Sequence, residues 1–274
     1  MELTLTDAAS GAIATIEPER GGIVTRFDVG ARRILFMDVD TLRDATKNVR
    51  GGVPVLFPSP GKLVDDAWAY AGHRGSMKQH GFARNLVWQV ARASPSEVAL
   101  TLVANDVTRA QFPWDFIVEQ TFTLRGTTLR LDQRVTNRAA EPMPFGFGFH
   151  PYFAVADADK RRTTVATAAT KAFDNVTKQT IEVGGPIDLT AKEVDLHLLD
   201  HGSTNSELSS PAGAVTLRGS AEYTHWVVWT LAGRDFVCVE PWTCPGNALN
   251  TGDRLIVLAP MESRSLWFEI AATR

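Results

Sequence analysis

Cysteine is nearly absent from this chain: Cys238 and Cys244 are the only two, six positions apart and outside any C-x-x-C pair. So low a count excludes a disulfide framework, and reduced thiols in a cytoplasmic protein are the expectation. An excess of either charge is also missing. The 28 Lys and Arg against 31 Asp and Glu leave a net charge of -3, so neither nucleic acid nor an anionic membrane is indicated as a partner. No run approaches the ~18 apolar residues of a membrane helix. The opening Met1-Glu-Leu-Thr-Leu-Thr-Asp7 is acidic and lacks the basic and apolar regions of a secretory leader. No G-x-G-x-x-G follows a strand, and neither a P-loop nor a G-x-S-x-G elbow occurs. Those absences remove the common dinucleotide, nucleotide and serine-hydrolase sites.

Long segments of 3.6-residue period are lacking too, which argues against a doubly wound α/β fold. What the chain has instead is many short strands separated by glycine and proline. The N-terminal part reads as strands over 3–6, 12–16, 23–29 and 33–36, and residues 41–49 as a short helix or loop. Residues 50–62 carry too many prolines for a central strand and predict a short strand breaking into a structured loop. Strands resume over 86–91, 98–103, 117–124 and 128–136, the last with Val135 set out of phase by a bulge. Beyond residue 156 strands are expected over 163–168 and near Ile181, a helical turn or two over 193–201, and strands over 214–217, 226–230, 236–240, 254–258 and 264–270. No repeat or linker interrupts the chain. The expectation is one all-β domain over residues 1–274, two large antiparallel sheets face to face, with Leu56, Phe82, Trp88, Phe122, Leu131, Phe147, Val228 and Phe268 in the core.

Three stretches carry chemistry. In Pro144-Phe-Gly-Phe-Gly-Phe-His-Pro-Tyr-Phe-Ala-Val155, phenylalanines alternate with glycines, so one strand would hold the three rings on one face and let another group approach the other. His150 follows at a strand end, before Pro151, which has no N–H for a ladder. It is either a proton-transfer group or a histidine closing the core. His80-Gly-Phe-Ala-Arg84 puts an imidazole before a tight turn and returns a cation on the same side; the alternative is an Arg paired with a surface carboxylate. In Val237-Cys-Val-Glu-Pro-Trp-Thr243, Glu240 ends an apolar run, with Pro241 terminating the strand. A buried glutamate needs a basic partner or a function, and Trp242 offers a flat face for a sugar ring. His197 and His201, four apart, suggest helix-borne metal ligands, but no third ligand is evident, so they read as surface histidines, as does His73.

Together, His80-Gly-Phe-Ala-Arg84, Phe149-His-Pro-Tyr-Phe153 and Val239-Glu-Pro-Trp242 followed by Ala248-Leu-Asn-Thr-Gly252 resemble the aldose 1-epimerase (galactose mutarotase-like) family over nearly the whole chain. The resemblance implies a large antiparallel β-sandwich that swaps the anomers of a sugar. It implies Glu240 as the base at the C1 hydroxyl, His150 as the acid at the ring oxygen, and His80 as a second histidine that hydrogen-bonds the sugar. Arg84, Arg50 and Asp174 match substrate-binding positions. Anomer exchange needs only a base and an acid that trade roles, so neither metal nor other cofactor is expected. Burial of Glu240 would raise its pKa above the ordinary ~4.3 toward that of a useful base. Arg50-Gly-Gly-Val-Pro54 is also reminiscent of hexose-6-phosphate epimerases, in which arginines hold the phosphate. Phe57-Pro-Ser-Pro-Gly-Lys62 departs from that subgroup, and a free aldose is the reading taken. A silent sugar-binding module would not need both Glu240 and His150.

Overall fold

The computed structural model describes residues 1–273. Two large antiparallel sheets dominate it. One runs in the order 164–165, 205–210, 213–219, 263–272, 128–137, 116–125, 97–103 and 89–93. The other runs 179–182, 171–174, 193–198, 225–231, 236–242, 148–149 and 55–56, with 152–154 also pairing with 236–242. A four-stranded sheet of 3–7, 12–17, 23–29 and 32–33 lies beside them. No helix among the described residues is long and apolar enough to cross a membrane.

Period-2 patterning explains the layers. Strand 116–125 alternates buried and half-exposed residues, with Phe116, Val118, Gln120, Phe122 and Leu124 inward. The two sheets meet through aromatic rings: Phe268 of the first stacks on Phe149 of the second at 5.5 Å, and Phe57 packs on Phe116 at 5.1 Å. One apolar cluster extends from Leu5 to Ala272, and all eight expected core residues are buried.

Four details differ from the sequence reading. Residues 193–198 form a strand, not helical turns: Val194, Leu196 and Leu198 are buried while Glu193, Asp195 and His197 alternate outward. Strand 128–137 has unbroken register on both sides, so there is no bulge at Val135. Its interior position 133 is filled by a glutamine whose amide is satisfied by Tyr223 Oη and the Leu131 carbonyl, and that polar residue mimics a phase break. Phe145, Phe147 and Phe149 do not share one strand, because 143–145 pairs with 256–258 and 148–149 with 55–56; all three rings still enter the core. Finally, strand 236–242 continues through Pro241 to Trp242.

That last difference builds the site. Gly148 pairs with Trp242 and Tyr152 with Cys238, so the shared register sets His150 directly opposite Glu240. The His150 and Tyr152 N–H groups donate the other way, to the Pro54 and Gly52 carbonyls. His150 and Glu240 are therefore a non-hydrogen-bonded cross-strand pair, the type whose side chains come closest. Pro151 and Pro241 lie at the flanking hydrogen-bonded positions, where each lacks the N–H the ladder would use. The ladder lacks those two donors, and between them the two polar side chains project from the sheet face.

Candidate active site

The outward face of the second sheet floors a cavity of about 330 Å³. Strand alternation selects its residues: Asp195 and His197 from 193–198, Val227 and Trp229 from 225–231, and Glu240 and Trp242 from 236–242. Across the strands His197 faces Val227, which faces Glu240. The segment after the 67–70/73–76 hairpin brings in His80 and Arg84, with Gly81 bridged to Phe57. His80 (φ 73°) and Gly81 (φ 71°) are both left-handed, and a Cβ on Gly81 would lie 2.1 Å from the Phe57 carbonyl oxygen. Only glycine permits that approach.

His150 Nε2 lies 3.2 Å from Glu240 Oε1, and Trp242 Nε1 donates to Glu240 Oε2 at 3.2 Å. Glu240 is 2% exposed. Burial, then the neighbouring Asp195, pushes its carboxyl well above the usual range, against the Trp242 N–H and Arg84. Burial, then His80 and Arg84, holds His150 well below an ordinary imidazole. The pair shares one proton, and burial favours the neutral arrangement, Glu–COOH beside a neutral imidazole. The alternative of a Glu240–Arg pair does not occur among the described residues. His80 packs edge-on against both His150 and Trp242. Its Nδ1 donates to the Pro60 carbonyl, leaving Nε2 as an acceptor, and burial followed by Arg84 lowers its pKa to about 3. His80 is neutral at physiological pH.

Arg84 is not paired with a carboxylate among the described residues; Nη2 donates to the Gln79 carbonyl, and Nε is buried without a partner. Burial lowers its pKa. Arg50 stands exposed at the mouth of the same cavity. Asp174 alone of the expected site residues falls outside it. Its carboxylate accepts from the Val176 N–H and the Thr177 hydroxyl, both at 2.8 Å, and closes the turn to Lys178. The strand period turns Asn175, its neighbour, into the cavity instead.

His150, Cys238 and Glu240 present possible ligand atoms within 4.8 Å of one another. Burial raises both the Cys238 thiol and Glu240, so a cation would have to displace two protons to bind there. The donor set suits proton exchange better than a cation.

A family model described as aldose 1-epimerase matches residues 18–271. The chain belongs to the aldose 1-epimerase family. Among solved structures, the Slr1438 protein from Synechocystis sp. PCC 6803 is 36% identical, with a TM-score of 0.95 covering 100% of this chain and 96% of that one. A galactose mutarotase-like protein from Lactobacillus casei ATCC 334 shares the fold at 22% identity and a TM-score of 0.81, covering 100% of both chains. Protein LacX of Lactococcus lactis is 23% identical over 232 residues, 75% of this chain and 78% of its own. A protein named "putative glucose-6-phosphate 1-epimerase" from Cenchrus ciliaris is 24% identical over 257 residues, 81% of this chain and 72% of its own.

Within this aldose 1-epimerase family member, the sequence reading overlooked an array on strands 193–198 and 225–231. Arg254 Nη2 lies 3.4 Å from His225 Nδ1. Arginine only donates, so His225 carries its proton on Nε2. That proton goes to His197 Nδ1 at 3.0 Å, and His197 Nε2 in turn faces Asp195 Oδ1 at 3.6 Å. Asp195 Oδ2 accepts from Asn175 Nδ2 at 2.7 Å. Both imidazoles are lowered, chiefly by burial. The alternation of Glu193-Val-Asp-Leu-His-Leu198 was the available signal, hidden by reading the stretch as helix. His201 is buried, held by Thr167 and the Asn205 carbonyl away from the cavity.

Proposed function

We propose that the protein is an aldose 1-epimerase, an isomerase that interconverts the α and β anomers of a free hexose by opening and reclosing its ring. The observation that carries this reading is the buried His150–Glu240 contact of 3.2 Å at the cavity floor. A hemiacetal presents two oxygens on one carbon, and an adjacent base and acid match them. Glu240 as carboxylate takes the C1 hydroxyl proton, the C1–O5 bond breaks, and His150 as imidazolium protonates O5. The product is the open-chain aldehyde beside Glu–COOH and neutral His150, the arrangement that burial favours. Rotation about C1–C2 and the same transfers in reverse close the ring on the other face. Trp242 fixes the carboxylate by its N–H. His80, neutral with Nε2 free to accept, accepts a hydrogen bond from a sugar hydroxyl, and Asp195, in place of Asp174, accepts one from another.

A second reading, a hexose 6-phosphate substrate, is favoured by the guanidiniums of Arg50 and Arg84, neither paired with a carboxylate among the described residues, and by the name of the Cenchrus relative. The carboxylates of Asp195 and Glu193 on the same cavity wall oppose a phosphate dianion, so we favour the free sugar. Exchange NMR on free and 6-phosphorylated aldoses, in wild type and Arg84→Ala, separates the two. Anomer exchange above the spontaneous rate is expected for a free hexose, with KM rising by similar factors for both substrate types in the variant. A steep rise confined to the 6-phosphate would establish the second reading, and no exchange on any sugar would sink both.

A further inference from the structure

Residues 38–50 form one wall of the cavity mouth, through Asn48, Val49 and Arg50. None of their side chains is buried, so no apolar anchor ties this segment to the core. Its ends are pinched together: Met37 bridges to Gly51, and the Asp38 N–H donates to the Arg50 carbonyl at 2.9 Å. Inside it, Asp38 caps the short helix 39–43, and the Thr41 hydroxyl oxygen accepts from the Arg50 N–H at 2.9 Å. Where that helix ends, carbonyls are left without partners in the helix. One side chain from outside the segment meets them. Arg20 Nη2 donates to the Thr41 and Asp44 carbonyls at 3.1 Å each, and to the Lys47 carbonyl at 3.2 Å.

Arginine suits this task because its planar guanidinium carries several fixed donors and no acceptor. Arg20 also stands on a firm base. It belongs to the corner that joins strands 12–17 and 23–29, where Pro18 is buried and its carbonyl accepts from the Trp88 N–H at 2.9 Å. The next residue, Gly21 (φ 82°), touches the other arginine-bearing segment: a Cβ there would lie 2.1 Å from the Arg84 carbonyl oxygen. Only glycine permits that contact. The corner therefore abuts both segments that bring guanidiniums to the cavity, yet Arg20 itself does not line it.

We propose that Arg20 is a positioning residue: it holds residues 38–50 as the outer wall of the cavity, and so sets where Arg50 meets the substrate. Glu240 and His150 are held by strand pairing elsewhere, so loss of Arg20 weakens substrate binding and spares the proton transfers. That the ligand is a sugar rests on the epimerase reading; that Arg20 orders the wall does not.

The experiment compares wild type with Arg20→Met, which keeps the aliphatic stem without the donors, and with Arg20→Lys, which keeps one charged donor group. Trypsin cleavage after the exposed Arg43 and Lys47, followed by mass spectrometry on the sugar-free protein, reads the order of the wall. Cleavage there is expected to be tenfold or more faster in Arg20→Met and intermediate in Arg20→Lys, with the urea midpoint of global unfolding unchanged. Titration calorimetry and exchange NMR with glucose and galactose read binding and catalysis. Kd and KM should rise tenfold or more in Arg20→Met, with kcat within threefold of wild type and partial recovery of both constants in Arg20→Lys. Unchanged cleavage, a kcat that falls as far as KM rises, or faster cleavage with Kd and KM at their wild-type values would overturn the proposal. Faster cleavage in a protein whose wild type exchanges neither sugar would remove the epimerase reading and leave Arg20 as the residue that orders the wall.

Discussion

Glu240 and His150 are two groups whose surroundings move their proton affinities in opposite directions, burial raising the carboxyl and lowering the imidazole. The state needed to open a ring, carboxylate beside imidazolium, is thus the less populated form of a pair that holds one proton over a wide pH range. The kcat/KM profile is expected to be a broad bell. Its acid limb marks the pair taking a second proton, below the ordinary imidazole pKa because His150 is lowered. Its alkaline limb marks loss of the only proton, above the ordinary carboxyl pKa because Glu240 is raised. Glu240→Gln keeps the shape but cannot take the C1 proton, and His150→Asn cannot protonate the ring oxygen. Each should lower kcat by about 10²–10⁴-fold. The double variant should lose far less than the product of the two losses, because both groups serve one event. Anomer-exchange rates on all four folded proteins are the measurement, and a Glu240→Gln enzyme with near-wild-type kcat would reduce Glu240 to a structural carboxylate.

At the scale of the strand, the site is a controlled interruption of a ladder. The residues of 236–242 meet those of 148–149 and 152–154 in one register, broken at the two prolines. Gly148 lets the neighbouring indole settle into place: a Cβ there would lie 2.7 Å from Trp242 Cδ1 and 2.9 Å from Pro60 Cβ. Gly148→Ala should therefore push the indole away and cost Glu240 its N–H donor. Overpacking of this kind typically costs about 1–3 kcal/mol. The expected result is lower stability in urea unfolding together with at least a tenfold loss of kcat/KM. Loss of stability alone, with kcat/KM intact, would show that the indole position does not matter to the chemistry.

The whole molecule stores a pH dependence in its buried imidazoles. His80 has a folded pKa of about 3, and His150 and His225 are also well below the ordinary value. Unfolded, each takes a proton near pH ~6.5, whereas the folded protein does not. Their contribution to stability is complete above that pH and is lost as pH falls toward the folded values, by about 1.4 kcal/mol per pH unit for each histidine. Glu240 has the opposite sign: its raised folded pKa helps below the ordinary carboxyl value and is lost as pH rises. Unfolding free energies in urea should drop steeply from pH 6 to 4. His80→Asn, an exchange that tolerates the left-handed backbone, should flatten that slope by about one proton. Equal slopes in the two proteins would mean that His80 is protonated in the native state.

The chain by itself determined the architecture, because strand alternation and glycine–proline turns are local properties, and one buried face per strand leaves few ways to pack them. Glu240, His150, His80, Arg84 and Trp242 stand out locally, as a carboxylate after buried valines, an imidazole before a proline and a cation three residues past a glycine turn, whereas Arg50 entered only through the family resemblance. Tertiary structure alone decided who faces whom. The His150–Glu240 contact depends on a strand register across some ninety residues of chain, which no local pattern encodes. The same holds for Asp195, His197 and His225, ordinary polar positions until neighbouring strands align them. Asp174 shows the reverse case: the family resemblance offered it as a sugar ligand, but its carboxylate closes a turn outside the cavity, which Asn175 lines instead. Side-chain identity is written in the chain, whereas proximity is created by pairing and packing.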